Sequence, residues 1–106
     1  MTTPITASPI TASQKRHLRG LAHPLKPVIQ VGGKGVSDTV LAELELALER
    51  HELLKVKLAA EDRDTRDAWI AEIVERSHAA LIQRIGHTAT LYRVSSDKPQ
   101  IVLPKG

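Results

Sequence analysis

Apolar residues recur along this chain with two distinct periods, and the change from one period to the other divides it into elements. Leu18, Leu21 and Ala22 lie three and four apart, a narrow stripe that predicts a helix over Gln14–Ala22 with Ser13 as its cap. His23-Pro24-Leu25-Lys26-Pro27 must end that helix, because each proline lacks an amide donor and pushes its predecessor out of the helical region. A short strand over Val28–Val31 follows. Ser37 then caps a helix running to about His51, whose Val40, Leu41, Leu44, Ala47 and Leu48 share one face. From Leu54 to Leu58 the alternation is strict, with Leu54, Val56 and Leu58 on one side and Lys55 and Lys57 on a side expected to be wet. Trp69, Ile70, Ile73 and Val74 mark a third helix over about Thr65–Ser77. Two closing strands, Ala80–Ile85 and Thr88–Arg93, are separated by Gly86-His87 at two-residue hairpin spacing. The order αβαβαββ, with a parallel βαβ unit at Val28–Leu58, predicts an α/β two-layer sandwich on a four-stranded mixed sheet.

The ends read differently. Pro4-Ile5-Thr6-Ala7-Ser8 is repeated as Pro9-Ile10-Thr11-Ala12-Ser13, two copies and therefore no solenoid, so residues 1–12 are expected to form a disordered leader. Residues 13–103 then form one domain and 104–106 a tail, with Ile101-Val102-Leu103 either adding an edge strand or padding the sheet. At 106 residues the chain has room for one domain. Its longest apolar runs are a few residues, too short for a membrane span. With no cysteine, disulfides and thiol chemistry are excluded. Without a basic start and a long apolar segment, no export is expected, and the cytoplasm is the expected location.

Charge changes the picture once it is resolved along the chain. Residues 1–36 contain Lys15, Arg16, Arg19, Lys26 and Lys34 and no acid; residues 37–79 hold eleven acids against six bases; residues 80–106 are basic again through Arg84, Arg93, Lys98 and Lys105 against Asp97. Bases at the two ends and acids in the middle predict one positive face, suited to a polyanion or simply to solvent. Lys15 and Arg19 stand one helical turn apart with no acid to relieve them. Trp69 and Tyr92 are the only aromatic residues besides histidine, too few for a platform on which bases stack.

Candidate chemistry is sparse. Gly32-Gly33-Lys34-Gly35 between strand and helix offers amides and a cation that suit a phosphate, and equally makes a tight turn. It has neither dinucleotide nor P-loop spacing. His17, His23, His51, His78 and His87 never fall three or four apart, so neither a metal nor a cofactor is expected; of these, only His23 is a candidate for ligand contact. Glu61, Asp62, Asp64 and Asp67 are acids that a helix N-terminus favours in any case. No catalytic constellation is evident, and the chain is not expected to be an enzyme.

Arg19-Gly-Leu-Ala-His-Pro-Leu-Lys-Pro-Val28, then Val31-Gly-Gly-Lys-Gly-Val36, His51-Glu-Leu-Leu-Lys-Val-Lys57, Gly86 and Leu91-Tyr-Arg93, in that order, resemble the CRM domain, most of all its bacterial stand-alone YhbY-type members. The resemblance spans roughly Ser13–Leu103. It implies a fold related to the C-terminal domain of translation initiation factor three and an RNA-binding protein that associates with precursors of the large ribosomal subunit and assists ribosome assembly. It also implies that the family's Gly-x-x-Gly loop corresponds to Gly32, Gly33, Lys34 and Gly35. The expected RNA surface is Lys15, Arg16, Arg19, His23, Lys26 and that glycine loop, adjacent if the first helix packs beside the first strand, with Arg84 and Arg93 as additions. Five phosphate contacts give a slope of log affinity against log salt of roughly −3 to −4. A monomer is expected. The alternatives are a general DNA-binding protein and a protein-interaction adaptor using the acidic second helix and an exposed Leu46.

Overall fold

In the computed structural model, residues 10–33, 35–95, 101 and 103 are described, and they form α1 (Ala12–Ala22), β1 (Ile29–Val31), α2 (Asp38–His51), β2 (Leu53–Leu58), α3 (Arg63–Ser77), β3 (Ala80–Ile85) and β4 (Thr88–Tyr92). The predicted order αβαβαββ is present. Of the predicted leader, residues 1–9 lie outside the described residues, as do Lys34 and all of 96–106 except Ile101 and Leu103.

The sheet runs β1-β2-β4-β3, with β1 parallel to β2 and the other pairings antiparallel. Register follows the alternation: Leu54, Val56 and Leu58 turn to one face, where Ile29, Val31, Ala89 and Leu91 join them against Leu44 and Leu48 of α2 and Ile70 and Ile73 of α3. This is the main core. Leu53 has the opposite parity, and with Ile82 and Tyr92 it packs against Leu18 and Ala22 of α1. Helix α1 therefore lies on the far face of the sheet, across β2, β3 and β4, so the condition for adjacency of the basic helix and the glycine loop, α1 beside β1, is not met. The reason is parity. Leu53, Ile82 and Tyr92 leave an apolar patch on an otherwise polar face, and Leu18 and Ala22 are what cover it.

Helix ends explain the remaining boundary differences. The cap of α1 is Thr11, not Ser13: Thr11-Ala12-Ser13-Gln14 is a capping box in which Thr11 Oγ1 accepts from the Gln14 amide at 3.1 Å and the Thr11 amide donates to Gln14 Oε1 at 3.1 Å. Ser13 sits inside the first turn. Ser37 caps α2 as predicted, accepting from the Val40 amide at 3.2 Å. Asp62 caps α3 through the Thr65 amide at 2.9 Å, which starts that helix at Arg63. Between β3 and β4, Gly86 at φ 58° leads the two-residue turn, a place that favours glycine.

Helix α2 and β2 are joined by one residue, Glu52, at φ 61° and with no exposed surface. A positive φ at a non-glycine residue costs about 1–3 kcal/mol and persists only where its surroundings hold it. Here the carboxylate does the holding. It accepts from the amides of Ser95 at 2.7 Å and Ile101 at 2.8 Å, and so ties the chain after β4 back to the α2–β2 corner. Ile101 and Leu103 pack on the second cluster, the second of the two roles the sequence left open for them.

Candidate nucleic-acid interface

Helix α1 has no acid and exposes Arg16 and Arg19, with Lys15 half-buried beside them. The connection to β1 adds exposed Lys26 and His23, whose backbone amide closes the helix on the carbonyls of Arg19 and Gly20. No ion pair engages Lys15, Arg16, Arg19 or Lys26 among the described residues.

The part of the sheet face that α1 leaves open carries Lys55 and Lys57, two residues apart and therefore roughly 6–7 Å apart along β2. Thr90 lies opposite Lys55, Thr88 opposite Lys57, and Gln83 opposite Thr90, flanking a shallow hollow of about 210 Å³ that Pro27 borders. Sequence reasoning saw these lysines as a wet face but not as site residues. The signal was present in the alternation; what was missing was that α1 covers one half of that face with its own cations and leaves Lys55 and Lys57 beside them.

Acidic side chains occupy the other side. Every acid among the described residues belongs to α2, to α3 or to their flanking residues Glu52, Glu61 and Asp62, and none lies on α1 or on any strand. Since α2 and α3 share the opposite sheet face from α1, the charge blocks of the sequence become two sides of the molecule.

Two predicted contacts belong to the acidic side instead. Arg93 donates from Nη1 to Glu45 at 2.9 Å and to the Ser77 carbonyl at 2.8 Å, and from Nη2 to Glu49 at 3.1 Å, with its side chain only 16% exposed. Burial works against its charge, but Glu45 and Glu49 outweigh it and hold the guanidinium above its ordinary value. Arg84 pairs with Asp67 of α3. Both arginines clamp strands to helices, and that geometry takes them off the basic face.

The glycine loop is also placed differently than expected. Helix α1 covers the Leu53 end of β2, whereas the loop follows Val31, which is paired with Leu58 at the other end, roughly 17 Å away. Lys55 and Lys57 lie between them. Within the loop, the Gly35 amide donates to the Gly32 carbonyl at 2.9 Å, so it closes the turn and is not free for a phosphate. Gly35 is buried at φ 72°, with a Cβ position 3.1 Å from Trp69 Nε1. Its glycine is required by the turn and by the tryptophan. Gly33 is exposed, Gly32 is half-buried, neither has a neighbour that would exclude a side chain, and Lys34 lies outside the described residues.

His87 Nε2 stands 3.0 Å from Arg66 Nη1, which also donates to the carbonyls of Ala60 and Glu61, so this histidine helps fasten α3 to the hairpin. Among the described residues no three His, Cys, Asp or Glu side chains converge, and no helix is long and apolar enough to cross a membrane.

Residues 10–93 match the CRS1/YhbY (CRM) domain. The chain belongs to the CRM domain family. Its relatives include a Haemophilus influenzae protein named an RNA-binding protein, 48% identical over 96 residues that cover 91% of this chain and 96% of the relative. The probable RNA-binding protein YqeI of Bacillus subtilis is 39% identical, over 90% of this chain and 99% of its own. The solution structure of a Staphylococcus aureus protein superposes with a TM-score of 0.78 at 32% identity, covering 91% of this chain and all of that one. The capping box, the glycine turn and the β4 end at Tyr92 all fall inside the matched span of this CRM domain.

Proposed function

We propose that this CRM domain binds RNA through the face formed by α1, the turn after it and the open part of the sheet, and that its RNA is ribosomal, in precursors of the large subunit whose assembly it assists. The observation that carries this reading is the segregation of charge: Lys15, Arg16, Arg19, Lys26, Lys55 and Lys57 share a side of the molecule on which the described residues expose no acid, Glu52 beneath it being fully buried. Such a field attracts a polyanion and repels none of it. Gly32 and Gly33 extend the surface at the Lys57 end, and on this reading Lys34, their neighbour in sequence, contributes its charge to the same contact. On this reading residues 13–103 act as one RNA-binding unit without enzymatic activity, monomeric and cytoplasmic. A second reading, a protein adaptor, is favoured by Leu46, which is 73% exposed and borders a hollow of about 380 Å³ with Val28 and Ala47.

The test is binding to large-subunit ribosomal RNA across a salt series, paired with sedimentation of lysate at low magnesium. Six phosphate contacts give a slope of log affinity against log salt of roughly −4 to −5. Arg16→Glu/Arg19→Glu, at exposed positions, is expected to stay folded, lose affinity more than tenfold and leave the large-subunit fractions. A flat salt response refutes the electrostatic reading. A folded charge-reversed variant that still travels with the particle moves the contact to the Leu46 side.

A further inference from the structure

Resting on the RNA reading, we infer that the open half of the sheet is a floor for double-helical RNA, contacting phosphates and ribose hydroxyls rather than stacked bases. The chain has two aromatic rings besides its histidines. Tyr92 has the parity of the floor but is 5% exposed beneath α1, and burial, reinforced by the nearby Glu52 charge, holds its hydroxyl above its ordinary value. Trp69 belongs to α3 on the other side of the sheet, packed on Gly35. The tertiary structure thus takes both from the floor, and His17 and His23 lie on α1 and its cap. A flexible single strand bound here would have its phosphates neutralised but no ring to stack on, and stacking supplies much of single-strand affinity.

What the floor does present, at strand spacing, is Lys55 and Lys57 on β2, Thr88 on β4 and Gln83 on β3 beside the exposed Ile85, with Thr90 buried between them. The lysines are donors without an acceptor among the described residues, and the Thr88 hydroxyl and Gln83 amide both donate and accept. An A-form helix displays phosphates and 2′-hydroxyls across a wide, shallow minor groove, the surface that such a floor can meet without entering a groove or splaying a base. The strands of the floor are backed by the main core, so its side chains are held in register before RNA arrives.

Competition against labelled large-subunit ribosomal RNA tests this with the full chain. The competitors are an RNA duplex of about 16 base pairs, a DNA duplex of the same sequence and an oligouridine, each at equal phosphate concentration. The RNA duplex is expected to compete at least tenfold better than oligouridine and several-fold better than DNA. Lys55→Ala/Lys57→Ala is expected to weaken both duplexes together and reduce the salt slope by roughly 2. Gln83→Leu/Thr88→Val is expected to bring the RNA-to-DNA ratio close to one while leaving the slope unchanged. Melting curves establish that each variant is folded. Oligouridine competing as well as the RNA duplex, or DNA competing as well as RNA, overturns the inference and leaves RNA binding standing. Retention of ribosomal RNA that no RNA duplex displaces does the same. Failure to retain ribosomal RNA at all removes the RNA reading, and this one with it.

Discussion

Replacing Gly35 by alanine isolates the physical role of the glycine turn from any role in binding. At φ 72° the left-handed conformation costs an L-residue about 1–2 kcal/mol, and the new methyl would sit 3.1 Å from Trp69 Nε1, which must give by a few tenths of an ångström. Against this, alanine restricts the unfolded chain and returns about 0.4–1 kcal/mol. With the tight contact added, the balance is a loss of about 0.5–1.5 kcal/mol, or roughly 2–12 °C in melting temperature for a domain of this size. Gly33→Ala is the control. With nothing within 4 Å and no positive φ, it is expected to change stability by less than about 0.5 kcal/mol or to raise it slightly. Circular dichroism melts measure both, and the emission of Trp69, the sole tryptophan, is expected to shift only for Gly35→Ala. Equal melting temperatures for the two variants, or an unmoved emission, would refute the packing of this turn on α3.

Arg93→Met is expected to lower stability by about 1.5–3 kcal/mol, since it removes charged hydrogen bonds to Glu45, Glu49 and the Ser77 carbonyl, while RNA affinity at a temperature where the variant is folded stays within twofold; a loss of affinity with intact stability would return Arg93 to the interface. Glu52→Ala strands the Ser95 and Ile101 amides and is expected to cost about 1–3 kcal/mol in urea melts, with faster amide exchange at both; unchanged exchange would mean that the carboxylate does not hold this segment. Hydrogen bonds from the Thr65 amide and hydroxyl hold the Asp62 carboxyl below its ordinary value of 3.8. Because the folded value is the lower one, its contribution is present above the unfolded value and is lost as pH falls through the folded value. Asp62→Asn is therefore expected to flatten the acid limb of a melting-temperature profile below about pH 4, and an identical limb in the two proteins would remove Asp62 from it.

The elements and their order were legible from local chemistry. Proline pairs, the Leu54–Leu58 alternation, the Ser37 cap and the Gly86-His87 spacing each act over a few residues, so the chain carries them without knowing its fold. The charge blocks and the family resemblance were legible for the same reason. Even the capping box was written in Thr11-Ala12-Ser13-Gln14, where Ser13 drew attention from a better cap two residues earlier. What only tertiary structure decided was which side each element takes. Arg93 and Lys57 are both basic residues at or near strand ends, and nothing local separates them; Glu45 and Glu49, more than forty positions earlier, claim the first, and α1 turns the second into the neighbour of its own cations. Gly35 looked like part of a phosphate cradle until α3 brought Trp69 against it. Side-chain parity along a strand is a local property, but which face a distant helix covers depends on apolar patches assembled from β2, β3 and β4 together, and that assembly exists only once the sheet has formed.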